Sequence, residues 1–186
     1  MKRVLITGCT GFVGKHLIAR LLNDSNLDIV CLVRTENQKN NLTKQGVEAR
    51  LGNLSAINLD YSLSRDIDIV IHLAGAIFDK YKKLLFDINT QATERLYRSL
   101  KNSKVKKFIF LSSLAAIGPQ RETSLITEET PKHPVSSYGE SKAAAEERLL
   151  RLQNEIGIDI CIIRAPLIYG KGLHKESRLS FFIDKL

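Results

Sequence analysis

Tyr138 and Lys142 stand four residues apart in the run Tyr138-Gly139-Glu140-Ser141-Lys142. On a helix that spacing puts both side chains on one face. A phenol with a pKa of ~10 is a poor proton carrier at neutral pH. A neighbouring ammonium stabilises the phenolate and lowers that pKa. The tyrosine can then give a proton to a carbonyl oxygen, or take one from an alcohol, while a hydride moves at the attached carbon. Taken alone, the pair also fits a solvated helix face. It does not stand alone, because Leu111-Ser112-Ser113 closes an apolar run 25 residues before Tyr138. A Ser113 hydroxyl at a strand end can hydrogen-bond both a substrate oxygen and the tyrosine.

A second cluster lies at the start of the chain, Val4-Leu5-Ile6-Thr7-Gly8-Cys9-Thr10-Gly11-Phe12-Val13-Gly14. An apolar run meets three glycines at intervals of three. Val13, Leu17, Ile18, Leu21 and Leu22 then recur as one face of a helix. A buried strand, a glycine turn and a helix start make a dinucleotide site. Gly8 permits the tight turn, Gly11 lets the backbone approach a pyrophosphate, and Gly14 lets the helix pack close to the sheet. The pyrophosphate would rest on the free N–H groups and the positive dipole end of the helix. An ordinary strand-to-helix turn that happens to use glycine is the competing reading, and the spacing differs from Gly-x-Gly-x-x-Gly.

Strands and helices alternate along the chain and must hold these groups. Strands are expected at Lys2–Thr7, Asp28–Arg34, Val47–Leu51, Ile67–Leu73, Lys106–Ser112 and Ile158–Arg164. Helices are expected at Gly11–Asn23, Glu36–Gln45, one long helix through Ile88, Ala92, Leu96 and Leu100, and Ser137–Glu155. Near-continuous apolar strands separated by helices imply an α/β fold, a doubly wound parallel sheet covered on both faces. Ligands then bind beyond the carboxyl ends of the strands, where Gly8, Ser113 and the segment after Arg164 all lie. The long loop Gly118–Ser136 is rich in charge, Thr and Pro, and could lie over a ligand.

These motifs resemble the extended short-chain dehydrogenase/reductase family, the group of NAD(P)-dependent epimerases, dehydratases and related reductases. The resemblance rests on Thr7-Gly8-x-x-Gly11-x-x-Gly14, His72-Leu73-Ala74-Gly75, Ser112-Ser113 followed by Ala115-Ala116-Ile117-Gly118, Tyr138-x-x-x-Lys142, and Arg164-Ala165-Pro166-Leu167-Ile168-Tyr169-Gly170. It implies a Rossmann fold in which Tyr138 is the general acid/base. Lys142 would hold the nicotinamide ribose and lower the tyrosine pKa, and Ser113 would orient the substrate oxygen. It further implies that Gly8, Thr10, Gly11, Phe12, Val13 and Gly14 hold the pyrophosphate. Leu73, Ala74 and Gly75 would pass along the adenosine ribose and phosphates. Asn89 would lie near the cofactor and active site, and Ala165, Pro166 and Leu167 would flank the nicotinamide. A homodimer through the helices near Ile88–Leu100 and Tyr138–Glu155 is compatible with the family.

An acidic residue at the end of strand two takes the ribose hydroxyls of NAD, whereas arginine there accommodates the 2′-phosphate of NADP. Arg34 stands at that position, so NADP is favoured over NAD. Glu36 nearby is the competing NAD contact. Departures from the family pattern are Gly52-Asn53-Leu54 where Gly-Asp is usual, and Ala165 where proline follows the arginine. Asn53 can still hydrogen-bond adenine, with Leu54 beside it. Ile117 stands where many sugar-nucleotide epimerases carry tyrosine, which leans toward reductases.

The chain has 186 residues and a net charge of +8. Residues 1–172 read as an NAD(P)-binding domain, and 173–186 as the start of a truncated substrate-binding region with an amphipathic stretch at Leu179–Leu186. The cofactor site looks complete and the substrate pocket does not. Cys9, Cys31 and Cys161 show neither metal spacing nor an even count, and two of them fall in expected core strands; they read as reduced thiols of a cytoplasmic protein. No apolar stretch reaches the ~20 residues of a membrane span. Lysines crowd at Lys80, Lys82 and Lys83 and again at Lys101, Lys104, Lys106 and Lys107. Without aromatic interleaving or a recognition motif, they point to solvated helix ends and not to nucleic acid. The expected function is hydride transfer at a carbonyl or alcohol carbon of a small molecule, a nucleoside-diphosphate sugar or a ketone. The competing class is a non-catalytic NADP-binding or redox-sensing module, or an inactive cofactor-domain fragment.

Overall fold

A computed structural model describes residues 1–55, 64–77, 81–120 and 125–173. Its six strands are β1 (Lys2–Thr7), β2 (Leu27–Val33), β3 (Glu48–Leu51), β4 (Ile69–His72), β5 (Lys107–Ser113) and β6 (Asp159–Ala165). They form one sheet in the order β3-β2-β1-β4-β5-β6, with every neighbouring pair parallel. The chain winds outward from β1 to β3 and then restarts on the other side at β4. The order therefore reverses between β1 and β4, and the carboxyl ends there leave a crevice. Register aligns that edge: Thr7 lies opposite both Leu32 and His72, His72 opposite Phe110, and Ser113 opposite Ala165.

Alternation along each strand divides the core in two. Val4 and Ile6 of β1, with Cys31 and Val33 of β2, pack against Ile18 of α1 (Phe12–Leu21) and Leu42 of α2 (Glu36–Thr43). Leu5, Val30, Val70, Phe108 and Phe110 face the other way. They meet Leu96 and Tyr97 of α4 (Ala92–Ser99), and Ala145, Leu149 and Leu152 of α5 (Ser137–Ile156). Helices on both faces explain why the strands are apolar at nearly every position.

The expected element boundaries move by one to a few residues, with one larger change. In place of one helix through Ile88 to Leu100, the chain runs through α3 (Lys82–Phe86), a π turn (Asp87–Gln91) and α4. A π turn inserts one residue into the helical ladder and is common at functional sites. Here it buries the two polar residues Asn89 and Thr90 together. Cys161, expected in the core, is exposed on β6, while Cys9 and Cys31 are buried and free. Lys82, Lys83, Lys101 and Lys104 are paired with Glu140, Asp87, Glu155 and Asp68, as solvated helix ends and loops would be.

The loop before α5 folds back on its own start: His133 N–H donates to the Ile117 carbonyl at 2.7 Å. Gly118, at φ +83°, has the His133 carbonyl oxygen where a side chain would begin. Residues 121–124 of that loop lie outside the described residues, as does the expected amphipathic stretch 179–186. Among the described residues, no helix is long and apolar enough to cross a membrane.

Candidate active site

The turn after β1 is built by contacts that exclude side chains. Gly8 has φ +71°, and a Cβ there would lie 2.6 Å from Ala74 N. A Cβ on Gly14 would lie 2.3 Å from the Gly8 carbonyl oxygen and 2.6 Å from Cys9 Cα. Gly14 therefore packs on its own turn, a closer neighbour than the sheet expected from sequence. The Gly11 N–H closes the turn onto the Gly8 carbonyl at 3.0 Å. Helix geometry leaves the N–H groups of Phe12, Val13 and Gly14 without intrahelical acceptors. Thr10 and Gly11 are exposed above them. Free backbone donors at a positive helix end suit a diphosphate. On its outer flank α1 borders a cavity of about 570 Å³ lined by Phe12, Val13 and His16 with Ile168, Tyr169 and Lys171.

Behind the turn runs a chain of buried hydrogen bonds whose direction follows from counting protons. Thr93 Oγ1 donates to the Asn89 carbonyl at 2.7 Å, so it accepts from His72 Nε2 at 2.8 Å. The other ring nitrogen, Nδ1, then accepts from Thr7 Oγ1 at 2.6 Å, and Thr7 Oγ1 accepts from Ala74 N–H at 3.3 Å. This chain requires a neutral imidazole. Complete burial, reinforced by the charge of Lys142, pushes the His72 pKa down to about 3. It links the segment Leu73, Ala74 and Gly75 to the π turn. Asn89 completes the link: its Oδ1 accepts from Ala76 N–H, and its Nδ2 donates to the Ala76 carbonyl, both at 2.8 Å. The same Nδ2 reaches Ser141 Oγ at 2.9 Å, and Ser141 Oγ donates to the Tyr138 carbonyl at 2.7 Å.

Three residues meet at the end of β5. Ser136 caps α5 by accepting from Gly139 N–H at 3.0 Å, which puts Tyr138 in the first turn. Gly139 sits so close to the segment after β5 that a Cβ would lie 2.2 Å from the Ala115 carbonyl oxygen. That approach brings the half-buried Tyr138 within electrostatic reach of the Ser113 hydroxyl, which itself accepts from the Ala115 N–H at 3.1 Å. One turn further on, Lys142 is buried; its Nζ donates to the Leu111 carbonyl at 2.6 Å and lies 4.1 Å from the centroid of the Phe110 ring. Burial pushes its pKa down to about 7, opposed by the Glu146 carboxylate.

The sequence predicts a phenol acidified by Lys142. Here burial pushes the Tyr138 pKa up, with the Ser113 hydroxyl acting the other way, and the ammonium donates to the Leu111 carbonyl.

Arg34 is exposed at the carboxyl edge of β2. Its N–H is fixed by Gln38 Oε1 at 3.0 Å, while its guanidinium has no partner among the described residues. Asn53 is exposed, and its Oδ1 accepts from Ser55 N–H at 3.0 Å. Leu54 packs against the core, and its carbonyl accepts from Arg95 at 3.4 Å. Pro166 and Leu167 are exposed just past β6. Among the described residues, no group of three or more His, Cys, Asp or Glu side chains could hold a metal ion.

Thr7, His72 and Ser141 lie within the sequence motifs without a role that the motifs assign, and Thr93 and Glu146 lie outside them. Glu146 was detectable, since Tyr138, Lys142 and Glu146 recur every four residues on one helix face.

Sheet order, glycine turn and the Ser113–Tyr138–Lys142 grouping together define a Rossmann fold of the short-chain dehydrogenase/reductase class. Residues 4–186 match the NAD dependent epimerase/dehydratase family, and the chain belongs to that family. A UDP-glucose 4-epimerase of Vibrio cholerae is 31% identical over 92% of this chain and 53% of its own length. A sterol-4-alpha-carboxylate 3-dehydrogenase of Dictyostelium discoideum is 30% identical over 91% of this chain and 54% of its own. UDP-glucuronic acid 4-epimerase from Bacillus cereus, solved in complex with NAD, superposes with a TM-score of 0.79 at 26% identity, over 94% of this chain and 60% of that one. The chain thus spans a little over half the length of these relatives.

If His72 is neutral in the fold and titrates near 6.5 when unfolded, the unfolded chain binds one more proton between pH 6.5 and 3, so stability falls as pH drops through that window. His72→Gln is expected to lower this slope by about one proton, ~1.4 kcal/mol per pH unit. Denaturant unfolding at pH 4, 5 and 6 measures it.

Proposed function

We propose that this chain forms the cofactor-binding half of an NAD(P)-dependent enzyme that oxidises and reduces an alcohol or carbonyl carbon of a nucleoside-diphosphate sugar. The observation that carries this reading is the grouping of Ser113 at the end of β5 with Tyr138 and buried Lys142 on the first turns of α5, on the same sheet edge as the glycine turn. The turn's free amides and its lack of room for a Cβ at Gly8 or Gly14 fit a dinucleotide diphosphate. When bound, the nicotinamide accepts or returns the hydride. Tyr138 takes the proton from the substrate hydroxyl, or gives it to the carbonyl oxygen. Ser113 holds that oxygen and aligns the phenol. Lys142 lies one helical turn away, ready to exchange its Leu111 carbonyl for a ribose hydroxyl and to favour the phenolate, offsetting the effect of burial. Leu73, Ala74 and Gly75 line the ribose and phosphate path, Asn89 fixes that segment from behind, and Pro166 borders the nicotinamide. Asn53 and Leu54 border the adenine.

The nucleotide-sugar class is supported by the names of relatives that share most of this chain. A ketone or sterol-type alcohol is the second reading. It is favoured by Ile117, fully buried where many epimerases carry tyrosine, and by the Dictyostelium relative. The solved relative binds NAD. For this chain we favour NADP, because the Arg34 guanidinium, unpaired among the described residues, stands at the ribose end of the site.

Two results test this. Tyr138→Phe should cut turnover at least ~10²-fold with UDP-sugars or the ketone substrate, while NAD(P)H affinity, followed by fluorescence titration, stays within a few-fold. Retained turnover removes Tyr138 from the reaction. Arg34→Asp should reverse the preference from NADPH to NADH in the same titration. An unchanged ratio removes the NADP assignment.

A further inference from the structure

Glu146 is a fully buried carboxylate that the proposed chemistry leaves unused. It lies one turn beyond Lys142 on α5, and the two side chains dock on consecutive residues of β5. Lys142 Nζ meets the Leu111 carbonyl at 2.6 Å, and Glu146 Oε1 accepts from Ser112 Oγ at 2.5 Å. Glu146 Oε2 also accepts from Arg164 Nη2 of β6 at 3.0 Å and from Lys132 Nζ at 3.0 Å. Arg164 further binds the Glu128 carbonyl at 3.1 Å. One carboxylate therefore gathers the ends of β5 and β6, the loop before α5, and the helix that carries Tyr138.

We infer that Glu146 is a positioning residue, the counter-charge that keeps Lys142 an ammonium docked beneath Ser113 and Tyr138. This rests on the function proposed above, in which a charged Lys142 serves the phenol. Isolated buried charges are strongly disfavoured unless paired. Two cations, Arg164 and Lys132, pair directly with Glu146, and Lys142, which has no ion pair among the described residues, is buried one helical turn before it. Burial pushes the Glu146 pKa up, and the hydrogen bonds from Arg164, Ser112 and Lys132 outweigh it, so the carboxylate stays charged. Without it, the cheapest relief of the remaining repulsion is loss of the Lys142 proton, since its pKa already lies near 7 and an arginine does not deprotonate. The other titratable or charged groups around Lys142 do not replace this role. His72 of β4 is neutral, and Tyr138 is protonated. Glu140 of α5 is committed to Lys82 of α3, and Glu94 of α4 to Arg148 and Arg98.

The test is an NMR titration of the full chain labelled with ¹³C at lysine Cε, the Lys142 signal being assigned with Lys142→Arg. In Glu146→Gln the Lys142 midpoint should fall by about one pH unit. In Lys132→Met, which frees Glu146 of a competing cation, it should rise. An unchanged Lys142 midpoint in Glu146→Gln, or both variants moving it the same way, overturns the inference. Should Glu146→Gln fail to fold, Lys132→Met decides alone: a rise supports the inference, and no change or a fall overturns it. The readout needs neither cofactor nor substrate, so it separates failure of this inference from failure of the proposed activity.

Discussion

Backbone meeting backbone at the end of β1 is the constraint on which the rest of the molecule depends. Gly8 sits against the main chain of Leu73 and Ala74, and Gly14 against Gly8 and Cys9, both closer than any side chain permits. These approaches seat the first turn of α1 over the point where the strand order reverses. They aim its unsatisfied amides into the crevice. A larger residue at either glycine would lift the helix end off the turn or push the segment after β4 away.

A similar device sets the end of β5. Gly139 lies against the Ala115 carbonyl, so α5 begins almost in contact with the segment that leaves β5. Tyr138 thereby reaches Ser113, and Lys142 is driven into the interior above Phe110. The two halves are joined by buried polar contacts and not by packing alone. Thr7, His72, Thr93 and Asn89 run from the first strand to the π turn, and Ser141 carries the link to Tyr138. Such a network has one satisfied arrangement of protons, and it gives the site a defined geometry before any ligand arrives.

Much of this was legible in the amino-acid sequence, for identifiable reasons. Strand identity follows from continuous apolar runs, and the parallel sheet follows from helices between them. Gly8, Gly11 and Gly14 are legible because a phosphate turn needs glycine at fixed places, and Tyr138 with Lys142 because helical spacing is local. What was hidden depends on partners distant in the chain. The π turn at Asp87–Gln91 replaces an ordinary helical ladder beside side-chain bonds from Asn89 to Ala76 and Ser141, none adjacent in sequence. The direction of the Tyr138 shift depends on burial, and the partner of Lys142 turned out to be a strand carbonyl. The exposure of Cys161 depends on what packs over β6, which its alternation with Ile160 and Ile162 cannot say.

The central claim is that the amides at the first turn hold the diphosphate of a nicotinamide dinucleotide beside Tyr138. Amide chemical-shift mapping with NADP and with NAD measures this directly. The account predicts the largest changes at Phe12, Val13 and Gly14, with a second group at Ser113 and Tyr138. Saturating amounts of either nucleotide that leave the first turn unmoved would contradict it.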